Sequence, residues 1–293
     1  MRLENRVAII FGTGPNQGGA MANFMAREGA KIACVDLELK VAAETVAFLQ
    51  SRGYDAIALQ ADGTVEADVA KAVQDAVGHF GFVDIGANLV ARQFRMPITD
   101  MNMYDWHRTI LSMLDSGVLT TKHIAKAMVE KEKKGCILHI ISSAGHYGQP
   151  ENAPYSAGKA GLLNMVRAAA MDLAHYGIRV NTITPYAMEQ NIFRAGPSPV
   201  RVGQDLRLRY TVSSDDFLKS IPMGRFPRAS DTANAAVFLA SHEAEFITGI
   251  DLPVDGGVRA KYPAWTPGLF TNTSVEQYLK ENKPQMYGET VEQ

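Results

Sequence analysis

Ser142, Tyr155 and Lys159 are the residues of this chain whose types and spacing could move a proton. Tyr155 and Lys159 stand four apart in a segment that continues AGLLNMVRAAAMDLA, with the apolar spacing of a helix. Four residues make about one helical turn, so both side chains leave the same face. A phenol has an unperturbed pKa of about 10 and is a poor acid–base group at neutral pH. An ammonium beside it favours the phenolate and lowers that pKa. Ile137 to Ile141 is an apolar run that predicts a buried strand, and Ser142 follows its C-terminal end. A hydroxyl there could hydrogen-bond a substrate oxygen and hold it against the phenol. The three residues would then pass a proton to or from an alcohol or carbonyl oxygen. A lone Tyr-x-x-x-Lys is more often an ordinary surface pair, so its weight depends on what surrounds it.

The elements that must position these residues begin at the N-terminus. RVAIIF, Arg6 to Phe11, predicts a buried strand, GTGPNQGG follows it, and AMANFMAREG has helical spacing. A glycine loop between strand and helix suits a pyrophosphate. Gly12 can turn sharply, Gly14 can keep the loop close to a ligand, and Gly18 can let helix approach strand, with free N–H groups at the helix start. A second strand, KIACVD, ends at Asp36, where an acid can bind both ribose hydroxyls of an adenosine and repel a 2′-phosphate. The expected cofactor is therefore NAD.

The alternation continues with VAAETVAFLQSRG as a helix, DAIALQ as a strand, and a helix opened by a cap-like pattern at Thr64. VDIGANLV is a fourth strand, and one long helix runs from Met103 to about Lys133. GCILHII carries Ser142, the Tyr155 helix follows, and IRVNTITP is a sixth strand. This order predicts an α/β fold with a doubly wound parallel sheet of Rossmann type. Ligands of such sheets bind at the C-terminal strand edges, where Gly12, Asp36, Asn88, Ser142 and Pro185 all fall.

Composition narrows the classes. The 293 residues fit one large domain or two small ones, and 29 basic against 31 acidic residues with no basic stripe argue against nucleic acid. No run of 18 apolar residues exists and MRLENRVAIIF lacks a signal-peptide pattern, so a cytoplasmic protein without a membrane partner is expected. Cys34 and Cys136 lie in apolar strands and read as core thiols, with no metal site expected.

With these landmarks in place, residues 5 to 258 resemble the classical short-chain dehydrogenases/reductases. Ser142, Tyr155 and Lys159 match that family's catalytic triad, including the Ser-to-Tyr interval, and FITGIDLPVDGG matches its closing segment. The resemblance implies NAD(P)-dependent interconversion of alcohols and ketones in homodimers or homotetramers. It implies that Tyr155 is the acid–base residue, that Lys159 binds the nicotinamide ribose, and that Ser142 positions the reacting oxygen. Cofactor contacts are expected from Gly12, Gly14, Asn16, Gln17, Gly18, Asp36, Leu37, Asp62, Gly63, Asn88, Tyr155, Lys159, Pro185, Tyr186 and Met188. Substrate contacts are expected from Ser142, His146, Tyr155 and Tyr186.

Departures from the family pattern cluster at the site. Phe11 replaces a threonine, Asn16 a glycine, and Leu89-Val90-Ala91 the rest of an Asn-Asn-Ala-Gly run. Met113 stands where the family's catalytic asparagine falls, Tyr186 where glycine follows the proline, and Gln190 where a threonine is usual. Two readings stand: a working dehydrogenase whose proton leaves by another route, or a catalytically impaired dinucleotide-binding scaffold or interaction protein. The intact triad and Asp36 favour the first. The domain spans 1–257, with a lid at about 187–222 carrying Arg194, Arg201, Arg207 and Arg209, which suit a solvated surface better than an anion clamp. His146, Tyr147, Tyr186, Met188, Ile192 and Phe193 suggest a pocket for a cyclic or bulky apolar substrate. Residues 258–293 form an extension whose aromatic residues predict packing on the body or on a neighbouring subunit.

Overall fold

A computed structural model describes residues 1–186 and 218–262. Most of the proposed lid, with Met188, Gln190 and the four arginines, therefore lies outside the described residues, as does the extension beyond Tyr262. Seven parallel strands form one sheet in the order β3-β2-β1-β4-β5-β6-β7. They are β1 (Val7–Phe11), β2 (Lys31–Asp36), β3 (Ala56–Gln60), β4 (Ile85–Asn88), β5 (Gly135–Ile140), β6 (Ile178–Pro185) and β7 (Asp251–Val254). All five residues of β1 are buried, because a central parallel strand is covered on both faces.

Alternate residues of each strand feed two cores. Ala8, Ile10, Leu138 and Ile140 pack against α1 (Gln17–Arg27), α2 (Leu39–Gln50) and, through residues such as Val237, α7 (Ala229–Ala240). Val7, Ile9, Phe11 and Ile137 face α3 (Glu66–Phe80), α5 (Ser116–Glu130) and α6 (Ala153–Leu173). Phe11 in place of the threonine is thus a core residue, 1 % exposed. Cys34 and Cys136 are free thiols buried in β2 and β5. No described helix is long and apolar enough to cross a membrane.

Three details differ from the sequence-based expectation. The long helix is interrupted: α4 (Met103–Ile110), capped by Asn102, leads into a π-helical turn at Leu111–Asp115 before α5 begins. That turn holds Met113. Thr64 does not cap α3; it donates its hydroxyl and amide to Asp62 Oδ1 at 2.7 and 2.8 Å, and α3 starts at Glu66. Beyond the six strands read from the sequence lie α7 and β7, which complete the edge of the sheet.

Candidate active site

The catalytic trio comes together where β5 ends and α6 begins. Ser142 starts a short 3-10 turn, Ser143–Gly145, and its Oγ accepts the Ala144 N–H at 3.2 Å. The same hydroxyl is within hydrogen-bonding reach of the Tyr155 phenol. Lys159 is 2 % exposed, its Nζ donates to the Ile140 carbonyl at 2.7 Å, and it lies 5.7 Å from the centroid of the Tyr155 ring. Burial pushes the Lys159 ammonium down to about 7. The phenol moves the other way: burial raises it, and the Ser142 hydroxyl opposes the rise. The expected lowering of Tyr155 by Lys159 is therefore not what dominates in the protein alone, because the low-dielectric setting that brings the pair together disfavours both charged forms.

At the other end, the glycine loop is shaped by close approach. A Cβ on Gly18 would lie 1.9 Å from the Gly12 carbonyl oxygen, so only glycine fits, and Gly12 has φ +87°. A Cβ on Gly14 would meet only Val41, at 4.0 Å, which leaves that stretch of backbone open to a ligand. Asn16, which replaces a glycine of the family pattern, precedes α1 with φ −95° and needs no left-handed conformation. Its side chain does not cap the helix, and the Gln17 and Gly18 amides find no backbone acceptor among the described residues. An uncapped helix start beside open glycine backbone fits a pyrophosphate.

Asp36 closes β2, with burial raising its carboxyl and the Glu38, Leu37 and Gly14 N–H groups pulling the other way. Leu37 is exposed beside it. Asp62 keeps one carboxylate oxygen in the Thr64 turn. A Cβ on the neighbouring Gly63 would reach Val90 at 3.0 Å. These groups fit the adenosine half of a dinucleotide.

Other expected residues have different occupations. Asn88, 2 % exposed, donates to Ser116 Oγ at 3.2 Å and accepts from the Val90 N–H at 3.0 Å, so it braces β4 against α5. Pro185 ends β6 at the cleft edge. Tyr186 follows it, its OH 3.0 Å from Ser220 Oγ, which joins the chain before residue 187 to the chain after 217. His146 holds its Nε2 3.1 Å from Asp251 Oδ2.

One feature was not recognised in the sequence. Asn88, His139, Thr182 and Asp251 are register partners across four strands, a polar row on the α5–α6 face of the sheet. The signal was a polar residue inside each of these strands, with several in β6. His139 is buried, holds Thr121 Oγ1 at 2.8 Å, and is pushed down to about 3 by burial and by Lys159. Met113 is fully buried, and its Cε occupies the space a Cβ on Gly158 would need, at 2.6 Å.

With the sheet order, the glycine loop and the Ser142–Tyr155–Lys159 geometry established, comparison with known proteins decides the family. The family described as enoyl-(acyl carrier protein) reductase matches residues 17–259. The chain belongs to the short-chain dehydrogenase/reductase family. Among short-chain dehydrogenases/reductases it is 34 % identical over 256 residues to 2,5-dichloro-2,5-cyclohexadiene-1,4-diol dehydrogenase LinX of Sphingobium indicum, covering 87 % of this chain and 97 % of that one. It is 32 % identical to cis-4-hydroxycyclohexanecarboxylate dehydrogenase of Sinomonas cyclohexanicum, with the same coverage. A crystal structure of gluconate 5-dehydrogenase from Burkholderia cenocepacia with NADP and tartrate superposes with a TM-score of 0.78 at 29 % identity, covering 89 % of this chain and 98 % of that one. This short-chain dehydrogenase/reductase is thus similar to alcohol-type oxidoreductases that work with a nicotinamide dinucleotide.

Proposed function

We propose that the protein oxidises a secondary alcohol to a ketone, or the reverse, with NAD, on a cyclic or bulky apolar substrate. The observation that carries this is that the Ser142 hydroxyl acts on the Tyr155 phenol while the buried Lys159 ammonium lies 5.7 Å from the centroid of the same ring. Gly12, Gly14 and the start of α1 would hold the pyrophosphate. Asp36 would hold the adenosine ribose and Lys159 the nicotinamide ribose. When bound, the nicotinamide supplies the hydride acceptor or donor. Tyr155 takes the hydroxyl proton of the alcohol, or returns it to the ketone oxygen, while Ser142 fixes that oxygen against the phenol. Among the described residues one of the three donors of Lys159 is used, by Ile140 O, which leaves two for ribose hydroxyls.

Asp36 supports NAD over NADP, since a 2′-phosphate would meet a carboxylate. The ring-bearing substrates in the names of two relatives support a cyclic alcohol. A groove of about 520 Å³ between α5 and α6, lined by Val118, Val129, Met165 and Tyr176, supports assembly through these helices. The test is a screen of cyclic and bulky secondary alcohols, followed by NADH or NADPH absorbance, with titration of both cofactors. Turnover with NAD, and a gap between the cofactors that narrows in Asp36→Ala, is expected. A clear preference for NADP would sink the cofactor assignment. Cofactor binding without turnover on any alcohol or ketone would sink the reaction.

A further inference from the structure

The turn that carries Ser142 is held from two sides by residues with no part in the chemistry above. On one side Gly145 lies flat on α6, where a Cβ would come within 3.1 Å of the Lys159 carbonyl carbon and 3.2 Å of the Ala160 nitrogen. On the other, His146 ends the turn with Nε2 at 3.1 Å from Asp251 Oδ2 and 3.3 Å from Thr184 Oγ1. Asp251 is 6 % exposed on β7. Its carboxylate also accepts from Thr182 Oγ1 at 2.9 Å, from Thr184 Oγ1 at 2.6 Å and from the Arg259 guanidinium. Arg259 belongs to the turn after β7, in which Asp255 caps the Gly257 and Arg259 amides at 2.9 and 3.0 Å.

Neutral imidazole donates from one nitrogen, and the carboxylate assigns that proton to Nε2. Burial lowers the pKa of His146, as do Arg259 after β7 and Arg167 on α6, while Asp251 on β7 raises it. Among the described residues these are the charged groups that face the ring, and the balance keeps it neutral. Arg259 in turn neutralises the buried Asp251. A charge satisfied by four donors gives a fixed point in the sheet. The Ser142 turn is only three residues long, too short to hold its own orientation.

We propose that His146, Asp251 and Arg259 form a positioning brace that aims the Ser142 hydroxyl at Tyr155, so that the segment after β7 sets the geometry of the reaction without touching the substrate. The inference rests on the dehydrogenase reading for its meaning, but it can be tested without turnover. Phenolate difference absorbance, with Tyr155→Phe as the blank, follows the titration of Tyr155 in the protein alone. Ser142→Ala should move that titration upward. His146→Leu should move it upward as far, and His146→Gln, which keeps a donor near Nε2, should restore it. Arg259→Met should move it in the same direction by less. Combining Ser142→Ala with His146→Leu should add nothing to Ser142→Ala, since both act through one hydroxyl. On any alcohol that proves a substrate, His146→Leu should lower kcat about tenfold, because small misplacements near reacting atoms are costly. Its Kd for the cofactor should not change.

Arg259→Met carries the test if His146→Leu does not fold. An unmoved Tyr155 titration in the folded variants overturns the brace, whether or not the protein turns over alcohols. Shifted titrations in a protein inert on every alcohol would uphold the brace and count against the proposed reaction.

Discussion

Tyr155 and Lys159 show how one environment acts on two groups. Burial raises the phenol and lowers the ammonium to about 7, so the pair is poised by desolvation before any ligand arrives. Tyr155→Phe removes the proton donor and little packing. Turnover should fall below detection while cofactor binding, measured by fluorescence titration, stays nearly intact. Retention of most of the activity would show that the proton moves elsewhere. Lys159 also makes a stability prediction. Its folded pKa of about 7 lies below the ordinary 10.5, so the unfolded chain holds more protons between those values and stability rises with pH across that window. The cost of burying the ammonium is full below pH 7, on the order of 5 kcal/mol, and vanishes above the unfolded value. Losing the bond to Ile140 O offsets about 1 kcal/mol of any gain from its removal. Lys159→Met should therefore melt higher than the parent at pH 6, with the advantage fading by pH 10. An advantage that grew with pH would contradict a lowered pKa.

The π-helical turn between α4 and α5 carries Met113, the residue at which the sequence departs most sharply from the family pattern. It places Met113 over Gly158, one residue before Lys159, so a thioether fills the position at which an asparagine would hold a water. If the proton needs only a water path to solvent, the parent is active and Met113→Asn changes the rate modestly in either direction. An amide buried there without partners costs roughly 1–3 kcal/mol, so melting must be followed with rate. An inert parent that gains turnover through Met113→Asn would favour the scaffold reading. The interruption itself was not legible in the sequence, since LSMLD continues the helical apolar spacing and π-turns leave no compositional mark. The strands were legible, because a parallel sheet covered on both faces demands unbroken apolar runs such as VAIIF. So was the meeting of Ser142, Tyr155 and Lys159, which needs only a strand end and one helical turn. The engagement of His146 with Asp251 was not, because it joins residues about a hundred positions apart through strand register, which no local pattern encodes. Nor was β7, since IDLPV carries an acid and a proline within four residues.

At the scale of the molecule, α5 and α6 serve both the inside and the outside. Their inner faces bury Ile124 and Lys159. Their outer faces expose Val118 and Val129 in the groove between them. A second copy placed there would give an isologous dimer, or a tetramer with one further interface. Sedimentation at micromolar concentration should show a species larger than the 31.9 kDa chain. A monomer across that range would refute assembly through these helices.

The strand order has a consequence for how the protein is made. The first of the seven strands to leave the ribosome becomes an interior strand of the sheet, with β2 and β3 added on one side and β4 to β7 on the other. The glycine loop and Asp36 can therefore organise within the first half of the nascent chain. Ser142 must wait for β7, because the carboxylate that holds its neighbour His146 arrives with Asp251. Such long-range parallel pairings are slow to form. A chain refolded from denaturant should regain dinucleotide binding ahead of catalysis, and a nascent chain stalled before Asp251 should bind cofactor yet lack a finished site.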